Sequence, residues 1–428
     1  MDSAGLKRVI GLPGAVLLGL GSIIGTGVFV SIGLAAGIVG AWALPALALA
    51  ALIALFNGLS SAQLAASHPT SGGSYEYGYQ YLHPAAGFAA GWMFLCAKSA
   101  SAATAALGGA GYILALVGAE SQKGLSPLAA GLTISVMILL LTGMRRSNKA
   151  NAAIVGLTLV SLSAFVLMGF FALPETGIAE LTSALSTPPD PRSFLHATAL
   201  LFVAYTGYGR IATLGEEVVE PGRTIPRAVL STLTVTVILY AAVAFIAIAS
   251  VGAHRYGELT QTTGAPLEEI ARNLDLPGIP LLLAVGAVTA MLGVLLNLNL
   301  GLSRVLLAMG RRGDMPKIFS RVSKDGGTPV PAVITTALMI VGLVAIGSVK
   351  TTWSFSAFTV LVYYAITNLA ALRLPEESQR YPRWIAGAGL AGCAFLAFWV
   401  EPAIWIAGLA TLAVGMAWHG MASLQWKK

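Results

Sequence analysis

Apolar residues fill this chain in long runs, and polar residues are confined to the short gaps between them. A bilayer core about 30 Å thick is crossed by roughly 20 apolar residues in helical form. On that ruler the pattern predicts twelve membrane helices, at 12–38, 41–66, 85–117, 126–144, 152–173, 194–215, 228–250, 279–303, 332–348, 353–372, 384–400 and 403–418. The last two are separated only by Glu401-Pro402, a charge followed by a helix breaker. The longest polar connections, about 174–193, 251–278 and 304–331, are too short for a separate soluble domain. The third is basic and is expected to carry a short interfacial helix. The chain therefore reads as one all-α integral membrane domain over 1–428.

Two runs are interrupted where a membrane helix should be most regular. The first contains GSIIGTGVF, with Gly21, Gly25 and Gly27 close together. Irregular backbone at membrane depth is tolerated only where it is buried in protein or lines a cavity. An unwound stretch offers N–H groups for a carboxylate at a half-helix amino terminus. It also offers carbonyls for an ammonium group. Together these match the two ends of an α-amino acid. Small residues also serve helix–helix packing, and span 1 alone does not separate the two readings. Span 6 favours the site, because Gly207 and Gly209 interrupt it at mid-depth. Paired interruptions in two halves point to a secondary-transporter site. Spans 1 and 6 lie five apart, as two five-helix repeats of inverted topology require. The approximate repeats cover 12–215 and 194–372, and spans 11 and 12 (384–418) are appended.

Composition agrees with a membrane protein. Hydrophobic residues make up 56% of the chain and charged residues 10%, against about 25% charged in soluble domains. Mean hydropathy is +0.80. The net charge of +7 could suggest a nucleic-acid partner. Counting loops removes that need. With the amino terminus inside, eighteen Lys and Arg fall on the cytoplasmic side, five outside and two within spans. This is the positive-inside pattern, and it predicts a multi-pass cell-membrane protein with both termini cytoplasmic. The basic amino terminus reads as an uncleaved tail and not a signal peptide. Cys96 and Cys393 form no CxxC pair, and the five histidines show no ligand spacing, so no metal or cofactor is expected.

The order and spacing of several blocks add a resemblance. GSIIGTGVF, HPTSGGSYEY (68–77), FVAYTGYGRIATLGEEVVEPGRTIPRA (202–228), SRVLLAMGRRGDMPKIF (303–319) and TPVPA (328–332) resemble the amino acid–polyamine–organocation permeases along the whole chain. The resemblance implies the 5+5 inverted-repeat fold with discontinuous helices 1 and 6 and two extra helices. It implies secondary transport of amino acids or related amines by alternating access, as a symporter or exchanger. Carried over by position, the substrate carboxylate meets N–H groups around Thr26 and Gly27, with Ser22 and Gly25 shaping the turn. The ammonium meets carbonyls of Ile23, Val203 and Thr206, beside Gly207. Spans 1, 2, 6 and 7 rock against 3, 4, 8 and 9. Glu217, Arg223, Arg227 and Arg304 latch the cytoplasmic gate.

Departures from the family pattern are informative. Val203 stands where many relatives carry an aromatic gate, leaving Phe202 or Tyr205 to serve. Gly209 and Gln63 replace frequent acidic residues. Thr158 stands where several proton-coupled members have a lysine in span 5, so a lysine switch there is not supported. Instead Lys98 lies about fourteen residues into span 3, roughly 20 Å along the helix. A charge at that depth costs about 2.5–3.5 kcal/mol and is a functional candidate. It is read as a proton carrier or a partner for an anionic substrate, against a purely structural role. Arg210 is a gating candidate or a tie to Glu216 or Glu217. Asn297 and Asn299 are polar at depth in span 8, for substrate or for cross-helix bonds.

No Asp or Glu lies deep in any span, which disfavours cationic substrates. Neutral L-amino acids lead, with acidic ones, other organic ions or amines as alternatives. A membrane enzyme would need a nucleophile, metal set or carboxylate pair, and none is present. A channel or receptor lacks its pore charges or ligand domain. No Walker motif is found, so proton, sodium or exchange remain as driving forces.

Overall fold

The computed structural model describes residues 8–70, 72–119, 121–142, 148–213, 215, 217–323, 328–346 and 348–425. Every predicted apolar run falls on helix. The first run holds α1 (Leu12–Ile23) and α2 (Ile32–Val39), with a π-helical turn Gly27–Ser31 between them. Next come α3 (Ala43–Ser67), the short loop helix α4 (Ser74–Tyr81) and α5 (Pro84–Leu116). Then follow α6 (Ser121–Leu141), α7 (Asn148–Phe171) and α8 (Gly177–Leu185). The sixth run holds α9 (Pro191–Tyr205), a 3₁₀ turn Thr206–Tyr208 and α10 (Gly209–Ala212). The second half continues with α11 (Pro221–Val251), α12 (Ala253–Thr262), α13 (Pro266–Asn273) and α14 (Ile279–Arg312). It ends with α15 (Val330–Ile346), α16 (Val349–Leu372), α17 (Arg383–Ala397) and α18 (Pro402–Gln425).

Among the described residues, eight helical stretches are long and apolar enough to cross a membrane, and the first of them, Leu12–Ser67, contains two predicted runs. Val330–Ile346 and Arg383–Ala397 are shorter apolar helices. Large apolar side chains such as Leu167, Phe170, Phe171 and Ile138 point outward and are exposed. Water would make such a surface unstable, whereas lipid covers it. The protein is a multi-pass membrane protein.

One expectation fails here. Among its described residues the 304–331 connection carries no separate α-helix. Instead α14 runs on to Arg312, where Gly313 at φ 90° caps it, and only a 3₁₀ turn Lys317–Ser320 follows. Arg311 and Arg312 sit in the last turn of α14, where the helix dipole favours cations.

Packing sorts the helices into two groups. α3 packs on α9 and α11, and α1 packs on α11. α5, α6, α14 and α15 pack on one another, and α16 lies along α5. α5 is buried over most of its length, including Lys98 at its middle. The two broken runs meet between these groups.

Candidate functional site

The first break begins at Ile24, whose extended backbone (φ −78°, ψ 107°) ends α1. Helical geometry resumes at Thr26. The amides of a helix's first turn lack intrahelical acceptors, so Thr26 and Gly27 present donors here. The second break is the 3₁₀ turn after Tyr205. Two glycines let the broken segments touch. A Cβ on Gly27 would stand 2.8 Å from the Ala204 Cβ. A Cβ on Gly207 would collide with the Ser22 carbonyl.

The carbonyls released by the breaks are held by side chains from distant helices. Tyr240 Oη on α11 donates to the Ile23 carbonyl at 2.9 Å. Tyr364 Oη on α16 donates to the Thr206 carbonyl at 3.2 Å. Asn297 Nδ2 donates to the Gly21 carbonyl at 3.2 Å, and Tyr112 Oη to that of Phe29 at 3.3 Å. Backbone groups that lipid could not satisfy are thus paired inside the protein.

Between the breaks lies a small cavity of about 30 Å³. It is lined by Ser22, Ile23, Thr26, Gly27, Val203, Thr206 and Gly207, all predicted for this site. Lys98 also lines it, beside Ser101 one helical turn further along α5. Val294 and Leu298 of α14 and Trp353 of α16 complete the apolar wall. No Asp or Glu is among the lining residues.

Several expected residues sit elsewhere. Gly25 does not line the cavity; it packs on Val294, where a Cβ would come within 2.7 Å. Phe202 and Tyr205 are also off the cavity, so neither replaces the aromatic gate from within. Phe202 packs edge-on to Tyr364, with ring centroids 6.0 Å apart. Tyr205 lies 5.4 Å from the Tyr240 ring. The aromatic surface in the cavity comes from Trp353, which also donates to the Leu200 carbonyl at 2.9 Å. Thr158 is spent on its own helix, donating to the Ile154 carbonyl at 2.8 Å. Asn297 and Asn299 make cross-helix bonds, Asn299 Oδ1 accepting from Thr336 at 2.8 Å. Arg210 bonds Thr213 Oγ1 at 3.3 Å, and Glu216 lies outside the described residues.

Of the expected gate, Glu217 and Arg304 form an ion pair at 3.2 Å. Arg223 does not join it. Arg223 faces Glu220 at 3.9 Å, with both side chains largely exposed. Main-chain bonds join the same region. Val9 and Ile10 both donate to the Glu217 carbonyl at 3.0 Å, and Val219 returns a bond to Ile10 at 2.9 Å. The segment before the first broken run is thereby stitched to the segment after the second.

Similarity to known proteins bears on this geometry. The family model for amino acid permeases matches residues 14–427. The chain belongs to the amino acid permease family. An uncharacterized transporter of Mycobacterium tuberculosis is 38% identical over 418 residues, covering 97% of this chain and 91% of that protein. A branched-chain amino acid permease of Bacillus subtilis is 28% identical over 344 residues, 76% of this chain and 72% of the relative. A vacuolar cationic amino acid transporter of Arabidopsis thaliana is 27% identical over 409 residues, 88% of this chain and 62% of the relative. The family and these relatives are transporters, not enzymes.

The Glu217–Arg304 pair of this permease allows a prediction. Arg304 is 49% exposed and Glu217 25%, a setting where ion pairs contribute about 0–1 kcal/mol. The main-chain stitch survives a side-chain change. Glu217→Gln is therefore expected to alter the transport rate less than about fivefold. Initial rates at low and high salt check this. A loss above tenfold would make the pair essential to closure.

Sequence reasoning missed Tyr240, Tyr364, Trp353, Val294 and Leu298. Ser101 was within reach of it, because i and i+3 share a helix face. Val294, Asn297 and Leu298 likewise share one face of α14. The tyrosines carried no such signal, since their partners are 158 and 217 positions away in sequence.

Proposed function

We propose that the permease is a secondary transporter of neutral L-amino acids. One observation carries this reading. The cavity is closed by two broken helices whose main-chain groups suit an amino-acid head group, and among the described residues no carboxylate lines it to hold a cationic side chain. The relative named as a branched-chain permease supports the neutral class. On this reading the eight long stretches, the doubled first stretch, the two shorter helices and the broken α9–α10 make twelve crossings. They form two five-helix repeats of opposite topology, followed by α17 and α18. The group α1, α3, α9–α10 and α11 rocks against α5, α6, α14 and α15. Both termini face the cytoplasm of a cell-membrane protein, with the Glu217–Arg304 pair at the inner gate. The driving force is a proton or sodium gradient, or exchange.

A second reading, transport of acidic amino acids, is favoured by Lys98 in the cavity. Counterflow in proteoliposomes separates them without knowledge of the coupling ion. Vesicles are loaded with one unlabelled amino acid and offered trace labelled alanine, glutamate or arginine. Alanine is expected to accumulate and arginine to stay out. Glutamate accumulation without alanine would establish the acidic class. Silence with every amino acid loaded would overturn the amino-acid reading.

A further inference from the structure

Lys98 is the one ionisable side chain among the residues that line the cavity. It is 7% exposed. Its ammonium donates to Thr206 Oγ1 at 3.3 Å and lies 5.8 Å from the centre of the Tyr363 ring. The Thr206 hydroxyl itself donates a hydrogen bond to the Val203 carbonyl at 2.9 Å. Lys98 takes no part in the ion pairs made among the described residues. An ammonium has three donors, and a single hydrogen bond uses one. A buried charge without a counter-ion is costly at membrane depth. An anion that enters the cavity offsets that cost.

We infer that Lys98 is the counter-ion of the substrate's carboxylate, and that it makes the cavity reject amines that lack one. The inference rests on the amino-acid reading of the cavity. The amides of Thr26 and Gly27 supply direction, and Lys98 supplies charge to the same cavity. Two discriminations follow. A decarboxylated amine loses its ionic partner and brings a second positive charge beside the first. An amino acid with a cationic side chain brings the same repulsion, with no carboxylate among the described lining residues to relieve it.

The test compares leucine with isoamylamine, the same skeleton without its carboxylate, as competitors of leucine counterflow. In the wild-type protein the amine is expected to compete at least about 100-fold more weakly. Lys98→Met keeps length and apolar volume. It is expected to weaken leucine about 10–100-fold, as loss of a charged hydrogen bond does, and to strengthen the amine, whose ammonium no longer meets a second positive charge. The ratio between them then collapses. Lys98→Arg is expected to keep it. If Lys98→Met slows leucine but leaves the ratio intact, Lys98 is a strut between α5 and the second break, and the inference is wrong. If the wild-type protein takes the amine as well as leucine, the inference fails with no variant needed. Silence of the wild type toward every amino acid would instead bring down the transport reading, and this inference with it.

Discussion

Gly207→Val is expected to abolish transport, to below about 1% of the wild-type rate. A Cβ at this position collides with the Ser22 carbonyl and lies 2.5 Å from Ile23 Cγ1. The main chain at the end of α1 cannot swing aside as a flexible side chain can. Overpacking of this kind costs about 1–3 kcal/mol for small additions. More important is where it acts. The contact sets the spacing of the two broken segments, and with it the positions of the Thr26 and Gly27 amides. Misplacement by about 1 Å can cost 10²-fold where binding geometry governs rate. Gly207→Ala is expected to fall between valine and wild type. Gly342→Ala is the control, because a Cβ there meets nothing within 4 Å. Counterflow rates per unit of folded, reconstituted protein measure all three. Wild-type transport by Gly207→Ala would mean that the segments separate before substrate binds, and the site would need redrawing.

The broken helices were legible because the bilayer leaves few explanations for clustered glycine at mid-depth. Gly25, Gly27, Gly207 and Gly209 needed only position along an apolar run to be suspect. Lys98 was legible for the same reason, with helical rise giving its depth. The partners of these residues were not. In water, a helix announces its buried face by periodic apolar residues. In lipid both faces are apolar, so the signal that would orient Tyr240, Trp353 or Tyr364 is missing. Phe202 and Tyr205 illustrate the consequence. They flank Val203 in sequence, yet the helical turn carries both away from the cavity and onto Tyr364 and Tyr240. The pairing of the charges expected at the inner gate was half legible. Glu217 and Arg304 meet across 87 positions, whereas Arg223 satisfies itself locally with Glu220. Charge at a helix end shows that a residue faces water, not which partner it finds.

Asp314→Ala is expected to destabilise the protein by about 3 kcal/mol, although the residue lies outside the cavity. Asp314 is 6% exposed in the turn after α14. Its Oδ2 accepts from Tyr75 Oη at 2.6 Å and from Tyr79 Oη at 2.6 Å. From α18, His419 Nδ1 lies 3.4 Å from Oδ1, and Trp418 donates to the Asp314 carbonyl at 2.9 Å. The carboxylate therefore ties the loop helix α4 to the end of α14, and the Asp314 carbonyl ties the last helix to both. Arg312 strengthens the node by covering the Tyr79 ring at 4.1 Å and pairing with Glu76 at 2.7 Å. Alanine removes the acceptor and leaves two phenol hydroxyls poorly paired. Detergent-driven unfolding measures the loss, and a change under 1 kcal/mol would show that water replaces the carboxylate without cost. The node also has a pH signature. Burial first, and then the Asp314 carboxylate, push the ionisation of Tyr75 and Tyr79 above the usual tyrosine range. A folded-state value raised above the unfolded one gives stability that is complete below about pH 10 and lost as pH rises through the raised values. Removing Asp314 takes away one cause and leaves burial. Phenolate absorbance should then rise at lower pH in Asp314→Ala than in the wild type. That difference should vanish when Tyr75 and Tyr79 are both phenylalanine, because the carboxylate would have no phenol left to protect.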